Sequence, residues 1–198
     1  MNYWSGTDCD VCPAIHTGVH CDQCVDPAFA GKDCDAYAFL QVATGDDHHC
    51  GLLPDKSALC WGGGNAFGQL DGKGSTSVYA KEGDTSGPFV QLAVGRKFTC
   101  ALKPEGEVAC WGFNEYEKCT PPAGPFTEIV AGDYHGCGLR ETGVAACWGP
   151  DGSGQVTGTT VPGGASTQPA DLTGPFVHLA AGVLHTCGLT PSGQAVCW

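Results

Sequence analysis

The sequence is poor in positive charge. It has nine lysine and arginine residues against 21 aspartate and glutamate residues, which gives a formal net charge of −12. Binding to nucleic acid requires a basic face, and binding to an anionic membrane surface requires a polybasic segment. The composition therefore argues against nucleic acid and against anionic lipid as partners.

Long apolar runs are also missing, since no stretch approaches the roughly 18 apolar residues that span a bilayer. The N-terminal segment "MNYWSGTDCD" has neither the basic nor the apolar region of a signal peptide. Cysteine, in contrast, is abundant, with 14 in 198 residues, and such usage is typical of an oxidising compartment. We therefore expect an interior piece of a longer exported protein, located outside the cell or on its surface.

Eight of the cysteines form a repeat. They occur as four pairs with a constant spacing of ten residues: Cys50–Cys60, Cys100–Cys110, Cys137–Cys147 and Cys187–Cys197. In every copy a phenylalanine lies eleven residues before the first cysteine, a glycine five before it and a leucine two after it, and a tryptophan follows the second cysteine. Internal repeats of this length indicate a solenoid, a propeller or an array.

Each cysteine pair is predicted to lie across a β-hairpin. If Cys100 faces Cys110, then Leu102 faces Val108, and residues 104–106 ("PEG") form a three-residue loop with glycine in the left-handed position. Directly opposed residues of antiparallel strands are close enough for a disulfide. Buried thiols are the alternative interpretation, and the disulfides are the preferred one.

The segments "AGDYHGCGLRETGVAACWGPDGSGQ" and "CWGGGNAFGQL" resemble the repeat of the regulator-of-chromosome-condensation family, and in particular its cysteine-bearing variant in exported bacterial proteins. The resemblance covers residues 37–198, with units at about 37–70, 87–122, 124–156 and 174–198. It implies an all-β fold, a partial β-propeller of about four blades that forms an open arc of a ring of usually seven.

The N-terminal segment 1–36 contains five more cysteines, in the order C-x2-C-x8-C-x2-C-x9-C. This segment resembles the second half of a laminin-type EGF-like module, which implies the bridges Cys12–Cys21 and Cys24–Cys34. A zinc site is the alternative, because two CxxC pairs are also typical of tetrahedral thiolate sites. The remaining cysteine of the chain, Cys119, has no counterpart in the other units.

Most other conspicuous residues have a structural interpretation. His48, His135 and His185 share one repeat position that Phe98 fills in the second unit, and a phenylalanine cannot replace a metal ligand. The repeated tryptophans are expected to pack between blades. No catalytic set, metal site or cofactor-binding motif is predicted.

Two long linkers, Asp71–Pro88 and Gly152–Pro175, vary between units and are therefore the candidate binding loops. Their proposed apolar anchors are Val78, Tyr79, Val156, Val161 and Leu172. The predicted function is a non-catalytic extracellular interaction or adhesion scaffold with an unidentified protein partner. The alternatives are part of an exported enzyme, or a guanine-nucleotide exchange factor by family analogy.

Overall fold

A computed structural model gives the fold of the chain. It describes residues 39–63, 65–73, 80–158 and 170–198, and the backbone of four two-residue strands nearer the N-terminus. These short strands form two antiparallel pairs, β1 (His16–Thr17) with β2 (Gln23–Cys24) and β3 (Phe29–Ala30) with β4 (Ala36–Tyr37). The predicted bridges of Cys12, Cys21, Cys24 and Cys34, and the zinc alternative, lie outside the described residues.

The rest of the described chain is a set of four small antiparallel sheets, one for each repeat. Blade 1 contains β5 (Gln41–Thr44), β6 (His48–Leu52) and β7 (Ala58–Gly62). Blade 2 contains β8 (Ala80–Lys81), β9 (Gln91–Val94), β10 (Phe98–Leu102) and β11 (Val108–Phe113), followed by a short 3₁₀ segment at Glu115–Glu117. Blade 3 contains β12 (Glu128–Ala131), β13 (Gly136–Leu139), β14 (Ala145–Trp148) and β15 (Ala170–Leu172). Blade 4 contains β16 (His178–Ala181), β17 (Thr186–Leu189) and β18 (Ala195–Cys197).

Within each blade neighbouring strands are antiparallel, and in blades 1, 3 and 4 they follow one another in chain order. In blade 2 the order is β9, β10, β11 and β8, so that β9 is the first strand of the meander and β8 is the outer strand although it comes earlier in the chain. The first strands of successive blades contact each other, from β5 to β9, then to β12 and to β16. The sheets therefore radiate from a common side, as blades do around a propeller axis. The predicted all-β partial propeller of four blades is confirmed.

The predicted hairpin register is also correct. Cys100 is opposite Cys110 and Leu102 is opposite Val108, and the other cysteine pairs face each other in the same way. All four pairs are disulfide-bonded, with Cα–Cα distances of 4.0–4.1 Å. The loop glycine Gly106 has φ +85°, a conformation that glycine adopts without steric cost. Lys56 takes the same position in blade 1 with φ 72°.

Three hydrophobic clusters hold the blades together, and each cluster lies between two consecutive blades. Between blades 2 and 3, for example, Phe98 and Leu102 of one blade pack against Ile129 and Trp148 of the next. Burying side chains of this size contributes roughly 1.5–3 kcal/mol each. The core therefore lies between the sheets, so that adjacent blades stabilise each other.

The two long linkers were expected to be loops throughout, but each of them contains a short strand. Part of the first linker, Ala80–Lys81, pairs with the outer edge of blade 2, and part of the second, Ala170–Leu172, pairs with the outer edge of blade 3. These short strands satisfy backbone groups that the outer edges would otherwise expose. The linker segments 74–79 and 159–169, which include Val78, Tyr79 and Val161, lie outside the described residues.

Candidate functional site: one face of the propeller

The repeated histidine position joins blades. His48 Nε2 lies 2.8 Å from Thr99 Oγ1 in the next blade, and His135 Nε2 lies 2.7 Å from Thr186 Oγ1. The Thr99 hydroxyl also donates to the main-chain carbonyl of Gln69, so its oxygen accepts from the histidine N–H. Both rings are wholly buried, and burial lowers the pKa of each to about 4.

At the same repeat position, blade 2 packs against blade 3 without a side-chain hydrogen bond. Its aromatic residue is Phe98, and the residue of blade 3 at the position of Thr99 and Thr186 is Gly136. A Cβ atom at Gly136 would lie 2.4 Å from the Trp148 ring, so that ring occupies the space that a threonine would take. The position therefore alternates between a polar pair and an apolar set, as expected of a structural site. Within the described residues there is no group of three or more histidine, cysteine or acidic residues that could hold a metal ion.

Trp111, Trp148 and Trp198 lie between blades, as predicted, whereas Trp61 of blade 1 is partly exposed and stacks on Phe39 of its own blade. Trp111 and Trp148 are buried, and each indole N–H donates to a main-chain carbonyl of the preceding blade's terminal loop, at 3.1 Å to Gln69 and 2.9 Å to Lys118. A carbohydrate platform would need these ring faces in solvent. Their function here is packing and anchoring.

The turns between the first and second strands of the blades lie together on one side of the propeller, which we call the turn face. All four turns have the same backbone hydrogen bond, from the glycine N–H to the carbonyl of the residue three positions on, at 2.9–3.0 Å. The residue pair inside each turn differs from blade to blade: Asp46–Asp47, Arg96–Lys97, Asp133–Tyr134 and Val183–Leu184. Turns closed by the same backbone hydrogen bond thus present a different pair of side chains in each blade.

Arg96 connects three of these turns. Its Nε lies 3.2 Å from Asp46 of blade 1, and its main-chain N–H donates to the carbonyl of Asp133 in blade 3 at 3.1 Å. Its guanidinium also donates to the Tyr134 hydroxyl at 2.5 Å. The turn face is therefore fixed in shape around blade 2.

The turn face also contains a cavity of about 200 Å³, lined by Arg96, Lys97, Phe113, Lys118 and Tyr134. A second, wider cavity of about 490 Å³ lies on the opposite face, between the hairpin loop of blade 2 and residues 121–125. The sequence analysis missed the first cavity. The only signal would have been the position of Lys118, because Gln69 and Gln155 occupy that position in the first and third units.

Two other predictions from the sequence are wrong. Cys119 does have counterparts, because its main-chain N–H donates to the side-chain oxygen of the residue five positions earlier, as the N–H groups of Leu70 and Val156 do. Its thiol donates to the Phe113 carbonyl at 3.6 Å. Val156 is wholly buried, and Leu172 packs against the same cluster. Val156 is therefore a core residue and cannot anchor a partner, whereas Leu172 is half-buried and its role as an anchor stays a prediction.

Comparison with known proteins agrees with this architecture. Three segments, residues 39–69, 89–117 and 126–155, match the regulator of chromosome condensation (RCC1) repeat. No curated protein sequence matches the chain. The solved structures that it resembles include three propellers, and the chain spans less than half the length of each.

The CRINKLY WD40 ectodomain of the Arabidopsis thaliana receptor kinase ACR4 is 28% identical, with a TM-score of 0.53 over 81% of this chain and 49% of that one. The ectodomain of the Physcomitrella patens receptor kinase CR4 is 24% identical, with a TM-score of 0.57 over 81% and 41%. Prp20p of Saccharomyces cerevisiae, studied for its binding to Gsp1p and histones, is 21% identical, with a TM-score of 0.63 over 82% and 45%.

The fold and the turn face together define a β-propeller repeat protein in which the turns of one face carry a different residue pair in each blade. Three of its repeats match the regulator of chromosome condensation repeat, in agreement with the sequence resemblance. Within the described residues there is also no helix with the length and apolar character needed to cross a membrane.

Proposed function

We propose that the chain is part of an extracellular, non-catalytic scaffold that binds another protein through its turn face. The observation that carries this proposal is that the four turns share one backbone hydrogen bond and carry a different residue pair in each blade. Side chains that every repeat shares are used for holding the blades together, so a partner-specific surface has to come from the positions that vary. Rigid scaffolds commonly bind through such turns and loops.

An extracellular location is supported by the four disulfides, because such bonds persist in oxidising compartments. It is also supported by the likeness to two receptor ectodomains. The likeness to Prp20p, at 21% identity, concerns the fold alone. Exchange activity on a small GTPase is therefore the weaker candidate, since such partners are cytosolic or nuclear and reducing conditions would open the bridges.

The test is affinity capture under oxidising conditions with two variants, each of which removes two carboxylates. The turn-face variant carries Asp47→Ser, Asp133→Ser and Leu184→Ser, which leave the cavity residues intact. The control carries Glu105→Ser and Glu141→Ser on the opposite face. Both should melt like the parent protein. We expect a partner that the parent and the control retain and that the turn-face variant loses; retention by the turn-face variant at parental affinity would contradict the proposal.

The linker segments 74–79 and 159–169 lie outside the described residues. That they take part in binding stays a prediction, which a second experiment tests. Removing residues 74–79 and 159–169 leaves the outer strands β8 and β15 in place. Loss of partner binding with an unchanged melting temperature would add these segments to the binding surface. Unchanged binding would restrict it to the turns.

A further inference from the structure

The cavity on the turn face concentrates positive charge in an acidic protein. Three of the chain's nine lysine and arginine residues line it, namely Arg96, Lys97 and Lys118. The other lining residues are the aromatic side chains of Phe113 and Tyr134. A chance grouping of one third of the cations is improbable in a chain whose net charge is −12, and it calls for an explanation.

Lys118 is the most buried of the three cations that line the cavity. Only 2% of the residue is exposed, and its ammonium lies 4.2 Å from the centroid of the Phe113 ring and 5.5 Å from that of Tyr134. Among the described residues no carboxylate forms an ion pair with it. Cation–π contacts compensate in part for the lost hydration, but a buried ammonium without a counter-ion remains costly. Burial accordingly lowers the pKa of Lys118 to about 8.

The other charges nearby leave the cavity positive. Asp46 pairs with Arg96 at 3.2 Å, and both side chains are about half exposed, so this pair is weak. Cys119 and Glu115 both raise the pKa of Lys118, but by less than burial lowers it. Lys97 Nζ lies 5.6 Å from the centroid of the Phe67 ring. The Arg96 guanidinium holds the Tyr134 hydroxyl, which keeps its own proton for donation.

The first and third units have glutamine at the repeat position of Lys118, so the lysine is specific to the second unit. Gln69 and Gln155 use their side-chain oxygens to accept from main-chain N–H groups of their own loops, at 3.1 Å and 2.8 Å. Lys118 provides the same main-chain carbonyl to a tryptophan of the next blade but cannot make the side-chain cap. A cation here therefore gives up a loop contact that a glutamine would make.

The backbone around the cavity is strained as well. Glu117 has φ 59° where the equivalent glycines, Gly68 and Gly154, have φ 76° and 82°. Tyr116 and Lys97 also have positive φ, at 58° and 62°. Within the described residues, three of the four non-glycine residues in this conformation line or adjoin the cavity. Such strain costs about 1–3 kcal/mol for each residue and commonly occurs at binding sites.

We propose that this cavity is an oxyanion-binding site, formed by the ammonium groups of Lys97 and Lys118, the Arg96 guanidinium and the Tyr134 hydroxyl. The proposal rests on the proposed function to the extent that the natural oxyanion is an acidic or sulfated side chain of the partner protein. An oxyanion accepts hydrogen bonds from all four groups and supplies the counter-charge that Lys118 lacks. Charge-assisted hydrogen bonds of this kind are the strong ones.

The first experiment uses small anions and needs no partner. Sodium sulfate, phosphate and acetate are titrated into the protein at constant ionic strength with chloride as the balancing anion, at pH 7. Binding is followed by the NMR shift of the Trp148 indole N–H, which donates to the Lys118 carbonyl. We expect a saturable shift with at least one oxyanion, and binding that weakens as the pH rises through about 8, where Lys118 loses its proton.

The matched variants are Lys118→Gln, which restores the residue of the other repeats, and Lys103→Gln on the opposite face as the control. Lys118→Gln should melt at or above the parental temperature, because it removes a buried charge, and should weaken binding at least tenfold, whereas Lys103→Gln should bind like the parent. If Lys118→Gln changes the fold, Lys97→Asn serves in its place, because asparagine tolerates the positive φ. No saturable shift, a shift of equal size with chloride, or equal binding by the lysine variant would each overturn the proposal. None of these results would affect the capture experiment, so the two proposals fail independently.

Discussion

Acid should destabilise this propeller through the two histidines that join blades. His48 and His135 each use one ring nitrogen for a threonine in the next blade, and the other nitrogen, Nδ1, has no hydrogen-bond partner among the described residues. Protonation would place a buried N–H where no acceptor lies. Burial lowers the pKa of both rings from 6.5 to about 4, and the nearby Asp47 and Asp151 only partly oppose this.

The sign and size follow from the two pKa values. The unfolded chain takes up protons near pH 6.5 and the folded chain only near pH 4, so stability is complete above pH 6.5 and falls as the pH drops towards 4. Between pH 7 and pH 5 the loss in unfolding free energy is about 2 kcal/mol for each ring.

The assay is urea unfolding at pH 7 and pH 5 with the disulfides intact. The double variant His48→Gln, His135→Gln retains an N–H donor for each threonine and does not titrate, so it should lose less stability than the parent by a few kcal/mol. His185→Gln is the control, since His185 occupies the same repeat position but is exposed. Equal losses in the parent and the double variant would refute the reasoning.

Three further predictions concern stability. Replacing Cys137 and Cys147 together by alanine should cost about 3 kcal/mol, because the bridge closes a short loop in the unfolded chain, and peptide mapping without reduction should find all four bridges in the parent; alkylation of those eight cysteines in the folded protein would contradict this. Asp151→Ala should cost about 1–3 kcal/mol in urea unfolding, since its buried carboxylate caps two main-chain N–H groups, whereas Asp151→Asn should cost less because one oxygen remains. Glu128→Gln gives up the 2.7 Å contact between Glu128 Oε1 and the exposed His178 ring, which is a weak pair at such exposure, but it removes a carboxyl whose pKa burial raises. Because an amide can both donate to and accept from Leu179, as Gln91 does with Ile129, we expect a higher melting temperature at pH 7; a lower one would count against that account.

The disulfides and the hairpins could be predicted because their signals are local. The constant spacing of ten positions between paired cysteines, with turn-forming residues near the middle, leaves few registers that place the thiols opposite each other. The fixed phenylalanine, leucine and tryptophan positions then identify the same hairpin in every unit. Hairpins that are stabilised by contacts between residues close in the chain can therefore be predicted from a single sequence.

The contacts between blades could not be predicted in the same way. His48 and Thr99 are 51 positions apart, and the reason why Phe98 can replace a histidine lies in Gly136, a residue of the following repeat. The outer strands were missed because two or three residues such as Ala80–Lys81 show no periodicity. Val156 was misplaced because it lies in a glycine-rich linker whose exposed appearance gives no sign that a capped turn directs one side chain inward.

The cavity was missed for a further reason, which bears on repeat proteins in general. A lysine in an acidic chain is ordinarily read as a solvated surface residue, and Lys118 has no neighbouring motif that would suggest otherwise. Its significance depends on comparing it with Gln69 and Gln155, which requires the loops to be aligned after the variable segments between them. In this fold the residues that all repeats share hold the blades together. A residue that indicates a binding site is therefore one whose main chain makes the usual contact of its repeat position while its side chain does not. Lys118 still accepts the tryptophan hydrogen bond but replaces a neutral cap with a buried charge, and the energetic cost of that exchange is the reason to expect a ligand there.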